Sequence, residues 1–207
     1  MLLVLFLLSL VIVGNSFTLS PLNMKKTIIS GIVTVSILTN NDVVANAISR
    51  NGITYTTSSS GLSYYDYPGN KNANELTANK NSKVSIDIKG YLAGRNGWQF
   101  IDTIADDTTI RVDISNTPVI EGLKIGLIGN NNDIPPMHKG DKRRLIIPSR
   151  LGYKTMNDEP IPFNNDNKRR LYNTVFNNER GSREKEALGD SIVGEIILDV
   201  TLKRVKN

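Results

Sequence analysis

Cysteine is absent from the 207 residues. That excludes a disulfide framework, a thiolate nucleophile and any Cys-based metal site, and leaves the redox compartment unread. Histidine occurs once, as His138, in a turn before Gly140; without partners at ligand spacing it reads as neither metal ligand nor catalytic base. The chain carries no HExxH, P-loop or GxSxG pattern. Its apolar runs, Leu2–Val13 and Ile28–Leu38, fall short of the roughly 18–20 residues that span a bilayer. A coherent basic surface is also lacking. The net charge is +5, and Glu179, Glu184 and Glu186 follow the Lys168-Arg169-Arg170 cluster. Both that cluster and Lys142-Arg143-Arg144 read as solvated faces, so no nucleic-acid partner is expected.

The N-terminal region has the shape of targeting sequence. Leu2–Val13 leads into Gly14-Asn15-Ser16, as in a secretory signal, although without a basic start. A second and more complete signal begins at Lys25-Lys26, runs through Ile28–Leu38 and reaches an A-x-A site at Ala45-Asn46-Ala47. Residues 1–47 are therefore expected to be a leader, and its loss lowers the net charge by one through Lys25, Lys26 and Asp42. Two signals in series imply two membranes crossed. The order is similar to the leaders of algae with complex plastids, where the first signal ends before an aromatic residue, here Phe17. The resemblance implies the thylakoid lumen; a secreted protein is the alternative.

Beyond the leader about one ordinary domain remains. Residues 48–60 are polar and read as a flexible lead-in to a domain over 61–207. Gly61–Tyr67, Val84–Leu92, Trp98–Thr103, Ile110–Ile114, Asp141–Pro148 and Glu195–Val205 alternate apolar and polar positions at period two, as half-buried strands do. Val119–Ile128 fits a short amphipathic helix with Glu121 in its first turn. The fold expected is α+β: an antiparallel five- to six-stranded half-barrel sheet wrapped around one short helix. Two insertions interrupt it, at 129–136 and 163–190. In the second, Leu171, Tyr172, Val175 and Phe176 are spaced to form one apolar helical face, and a loop this long is more often functional or disordered than neutral.

The densest signal lies between Val119 and Tyr153. Val119-Ile120-Glu121-Gly122-Leu123 is followed by Met137-His138-Lys139-Gly140-Asp141-Lys142-Arg143, then Ile147-Pro148 and Gly152-Tyr153. This series resembles the heart of the FKBP-type peptidyl-prolyl cis–trans isomerases, whose pattern runs V-I-x-G-W/L, G-M-x-x-G-x-K-R, I-P and Y-G. The resemblance covers Gly61–Pro162 and Glu195–Val205, in order. It implies that the Tyr153 hydroxyl and the Ile120 amide donate to ligand carbonyls, with Phe100 as the aromatic wall. Val119, Leu123, Ile161, Ile88 and Leu198 complete the substrate-binding cup, and Asp102 supplies its acidic group. Leu123 stands for the usual Trp, Ile88 for Tyr, Leu198 for Phe and Ile101 for the acidic residue, with Asp102 one position late. Lys154 replaces the glycine after the tyrosine. These changes imply a wider, softer cup.

The chemistry implied needs little apparatus. Rotation about an X–Pro bond faces a barrier of about 18–20 kcal/mol and takes tens to hundreds of seconds unassisted. No bond breaks, so no nucleophile or cofactor is expected. A dry cup favours the less polar twisted amide, and a donor holds its carbonyl. The expected partners are proline-containing segments, met by a monomer. The rival reading keeps the fold as a non-catalytic module for assembly of lumenal complexes, docking through 163–190.

Overall fold

The structure is a computed structural model that describes residues 24–29, 32–37, 45–50, 52–69, 75–93, 96–130, 133–176 and 194–207. Its spine is the strand Lys83–Leu92 (β6), in which alternate residues from Val84 to Leu92 face inward. Strand β10 (Ile196–Lys206) pairs along the whole of β6. On the other edge of β6, β8 (Ile110–Asp113) pairs with its first half and β7 (Trp98–Asp102) with its second. Beyond β10 come β9 (Lys142–Ile147), β5 (Ser63–Asp66) and β4 (Ile53–Thr57), each antiparallel to its neighbour. The architecture is α+β.

Helix α1 (Glu121–Ile128) lies on the inner face of this sheet and buries Gly122, Leu123, Gly126 and Leu127. Gly122 is there because nothing larger fits: a β-carbon on it would sit 2.4 Å from Ile147 Cγ2. The helix thus rests directly on β9, and Leu123 and Leu127 reach the core without exposure.

Four regions add to the expectation or differ from it. The polar lead-in holds β4, because Ile53, Tyr55 and Thr57 alternate and Tyr55 buries its ring edge-on to Tyr65, with centroids 6.2 Å apart. Upstream, β1 (Met24–Ile29), β2 (Ile32–Ile37) and β3 (Ala45–Arg50) continue the sheet outward from β4. In line with the spacing of Leu171, Tyr172, Val175 and Phe176, the segment after Phe163 forms a helix, α2 (Asn165–Val175), capped by the Asn164 side chain, which accepts the Asp166 and Asn167 amides. Leu171 and Tyr172 of α2 join the core, with Val175 and Phe176 packed at its edge. Residues 177–193 lie outside the described range. Among the described residues no helix is long and apolar enough to cross a membrane.

The fourth region is the basic cluster on β9, where the expected solvated face is corrected. Arg143 is 1% exposed and not solvated at all. Its Nε and Nη2 donate to the two Asp66 oxygens at 2.5 and 3.0 Å. Its Nη1 donates to Gly126 O at 2.7 Å and Pro135 O at 2.9 Å, and the Tyr64 ring lies 5.0 Å from its guanidinium carbon. Arg144 forms a two-pronged pair with Asp199, both contacts 2.6 Å. A buried cation is tolerated when every donor has an acceptor and a counter-charge is in contact.

Two substitutions test this packing. Arg143→Met removes the cation that contacts Asp66 and takes the donor away from the Gly126 and Pro135 carbonyls, and should lower unfolding free energy by about 3–5 kcal/mol in urea titrations. Gly122→Ala gains about 1 kcal/mol of helix propensity but meets Ile147, where overpacking costs about 1–3 kcal/mol. Net destabilisation is therefore expected by calorimetry, against the propensity scale.

Candidate functional site

The expected site residues come from five separate stretches, and the fold brings most of them together. Ile88 and Leu198 project from paired central strands, Phe100 from β7, Ile120 and Leu123 from the start of α1, and Tyr153 from the loop after β9. All six belong to one apolar cluster. Ile88, Leu123 and Leu198 have no exposed surface, and Phe100 and Ile120 are 1% exposed. Phe100 meets the Tyr153 ring edge-on, centroids 6.5 Å apart at 73°. This approach depends on Gly90 in β6, where a β-carbon would lie 2.6 Å from Phe100 Cζ.

The two expected donors are both engaged from within the chain. The Tyr153 hydroxyl donates to Pro160 O at 2.5 Å. The Ile120 amide donates to Glu159 O at 3.0 Å, and the Glu159 amide donates to Pro118 O at 2.9 Å. Val119 and Glu159 therefore pair as a single parallel bridge. Burial pushes the Tyr153 phenol well above its ordinary value, and the neighbouring Tyr172, Glu159 and Asp158 push it the same way. The hydroxyl keeps its proton and remains a donor.

The loop carrying these carbonyls is organised by its own side chains. Asp158 accepts the Lys154 and Thr155 amides and the Thr155 hydroxyl, each at 2.8 Å. Burial alone would raise the Asp158 carboxyl, but those amide and hydroxyl bonds, with Lys154 nearby, outweigh it and hold the group below its usual range. Glu159 Oε2 accepts the Ile161 amide at 2.7 Å. The Glu159–Pro160 peptide is cis, and Pro160 and Pro162 are buried while Ile161 is half-buried. From α2, the Tyr172 hydroxyl donates to Met156 O, and Asn167 Nδ2 donates to Phe100 O at 3.3 Å.

Asp102 lies elsewhere. Its Oδ1 accepts the Ile104 and Ala105 amides at 3.1 Å each, and its Oδ2 takes Lys89 Nζ and Gln99 Nε2 at 3.0 Å. Burial would raise this carboxyl, and the Ala105 amide and Lys89 more than reverse the effect. The side chain caps the turn after β7 and faces an outer cleft of about 260 Å³, shared with Phe100, Ile101, Phe163 and Asn167. His138 is likewise a turn residue, its amide donating to Asp141 Oδ2 at 2.8 Å. Among the described residues no group of three or more His, Cys, Asp or Glu is placed to hold a metal.

Sequence reasoning passed over Asp158, Glu159, Pro160 and Asn167, and read Tyr172 only as part of an apolar helical face. The available signal was the Pro160-Ile161-Pro162 run a few residues after Tyr153, read only as a source of Ile161.

Comparison with known proteins gives the family. A family model described as FKBP-type peptidyl-prolyl cis-trans isomerase matches residues 74–177, half of the chain. The chloroplastic peptidyl-prolyl cis-trans isomerase FKBP17-1 of Arabidopsis thaliana is 28% identical over 120 residues, 58% of this chain and 50% of that protein. FK506-binding protein 5 of Dictyostelium discoideum is 33% identical over 113 residues, 53% of this chain and 6% of that protein. The chain thus spans half the length of the first relative and a small part of the second. Among solved structures, AtFKBP13 aligns over 73% of this chain and 98% of its own, at 22% identity and a TM-score of 0.48. FkpA from Escherichia coli aligns over 73% of this chain and 51% of its own, at 22% identity and a TM-score of 0.44. On the family match, the chain belongs to the FKBP-type peptidyl-prolyl cis-trans isomerases.

Proposed function

We propose that this chain speeds cis–trans rotation of X–Pro bonds in extended protein segments, using the Tyr153 hydroxyl and the Ile120 amide to hold the carbonyls on either side of the proline. Phe100 and Ile120 form the apolar surround, with Val119, Leu123, Ile161, Ile88 and Leu198 completing it. Asp102 is left to its turn. One observation carries this reading. The same two donors already hold the carbonyls of Glu159 and Pro160, the pair that flanks a buried proline. Their spacing therefore suits a prolyl residue, whatever chain supplies it. Burial excludes water from the amide, which weakens the preference for its more polar planar form.

The plastid is the compartment we propose, and within it the thylakoid lumen. The tandem signals in residues 1–47 and the chloroplastic name of the Arabidopsis relative support this. The filled donors also favour the rival, a binding module that docks lumenal partners through 163–190 without turnover.

Relaxation of a chromogenic X–Pro peptide, followed with the full chain, separates the two. The isomerase reading expects a rate above buffer. Tyr153→Phe removes one hydrogen bond worth about 0.5–1.5 kcal/mol, so kcat/KM should fall roughly twofold to tenfold, and Phe100→Ala should lower it further. Because the buried phenol titrates well above the usual value of about 10, activity should stay flat through the pH range in which an exposed tyrosine ionises. A rate equal to buffer leaves the binding module.

A further inference from the structure

Three backbone and side-chain groups around the proposed ligand position have partners on a single short segment. The Ile120 amide, the Pro118 carbonyl and the Tyr153 hydroxyl bond respectively to Glu159 O, Glu159 N and Pro160 O. The first two bonds lay Glu159 beside Val119 as an added residue of strand. The third takes the next carbonyl along. An incoming proline-containing chain would present the same sequence of groups.

The segment is fixed from behind rather than merely resting there. Asp158 folds its leading turn through three bonds at 2.8 Å, and the Glu159 carboxylate pins the Ile161 amide. Tyr172 of α2 holds the Met156 carbonyl. Helix α2 is seated by Leu171, which is fully buried, and by the Asn167 bond to β7.

We propose that residues 156–162, clamped by α2, are an internal occupant of the ligand site, and that a proline-containing chain binds only by displacing them. The inference rests on the reading that Tyr153 and the Ile120 amide hold the ligand. An amide N–H and a phenol O–H each carry one proton to donate. Segment and ligand therefore exclude each other at both atoms. Apparent affinity is the intrinsic affinity scaled by the fraction of molecules with the segment lifted. Contacts that loosen α2 raise that fraction, so the helix couples its surface to the site.

The test uses a short Ala-Leu-Pro-Phe peptide and amide hydrogen exchange by NMR on the full chain. With the unaltered protein at saturating peptide, the Glu159 amide should lose protection while the Ile120 amide keeps it. In a Tyr172→Phe, Asp158→Ala double variant, which removes the clamp and leaves both donors, the peptide should bind about tenfold or more tightly. A peptide that binds while the Glu159 amide stays protected overturns the proposal. So does a double variant whose Ile120 amide exchanges freely without any gain in affinity, and so does absence of binding to both proteins. If the peptide binds and strips the Glu159 amide but its proline bond relaxes no faster than in buffer, the occupant stands and only the isomerase reading fails.

Discussion

The buried Arg143 guanidinium is the contact on which the arrangement of parts depends. It sits on β9 beneath α1 and bonds Asp66 on β5, a carbonyl in the last turn of the helix and the Pro135 carbonyl in the loop before β9. A helix this short gains little from its own hydrogen bonds and is held by tertiary contacts. Here one cation joins its end to two strands and a loop. Ile120 and Leu123 lie at the opposite end of the helix, where the Ile120 amide points to Glu159 O.

Much of the sheet was legible because its causes are local. Val84 to Leu92 alternate, and the structure buries the apolar set along β6. The same holds for β10, where the Leu198 and Val200 side chains are buried. Local pattern fails where the partner is distant. Arg143 in a Lys-Arg-Arg run looks solvated, and the carboxylate that neutralises it is 77 positions away in sequence. Tyr55 hid in a polar stretch for the same reason, since its neighbour Tyr65 comes from another strand.

The site shows a similar division. Tyr153, Phe100 and Ile120 were placed by motif, and they do meet in one cluster. Three aromatic-to-aliphatic replacements suggested a wider cup. The structure instead packs Ile88, Leu123 and Leu198 without exposed surface, in a cluster that Leu171 and Tyr172 of α2 also join. The spacing of Leu171 and Tyr172 predicts an apolar helical face but not what that face covers, because its partners are distant in sequence. Glu159 and Pro160 were unreadable for another reason: their part is played by main-chain carbonyls, which every residue has.

The seat of α2 has an optical consequence. The chain's one tryptophan, Trp98, lies half-covered with the Arg170 guanidinium of that helix 4.2 Å from its ring centroid. A cation over an indole face and the partial exclusion of water both alter its emission. The native protein thus carries a built-in fluorophore whose colour and brightness register whether the helix is down or raised, without any label being attached.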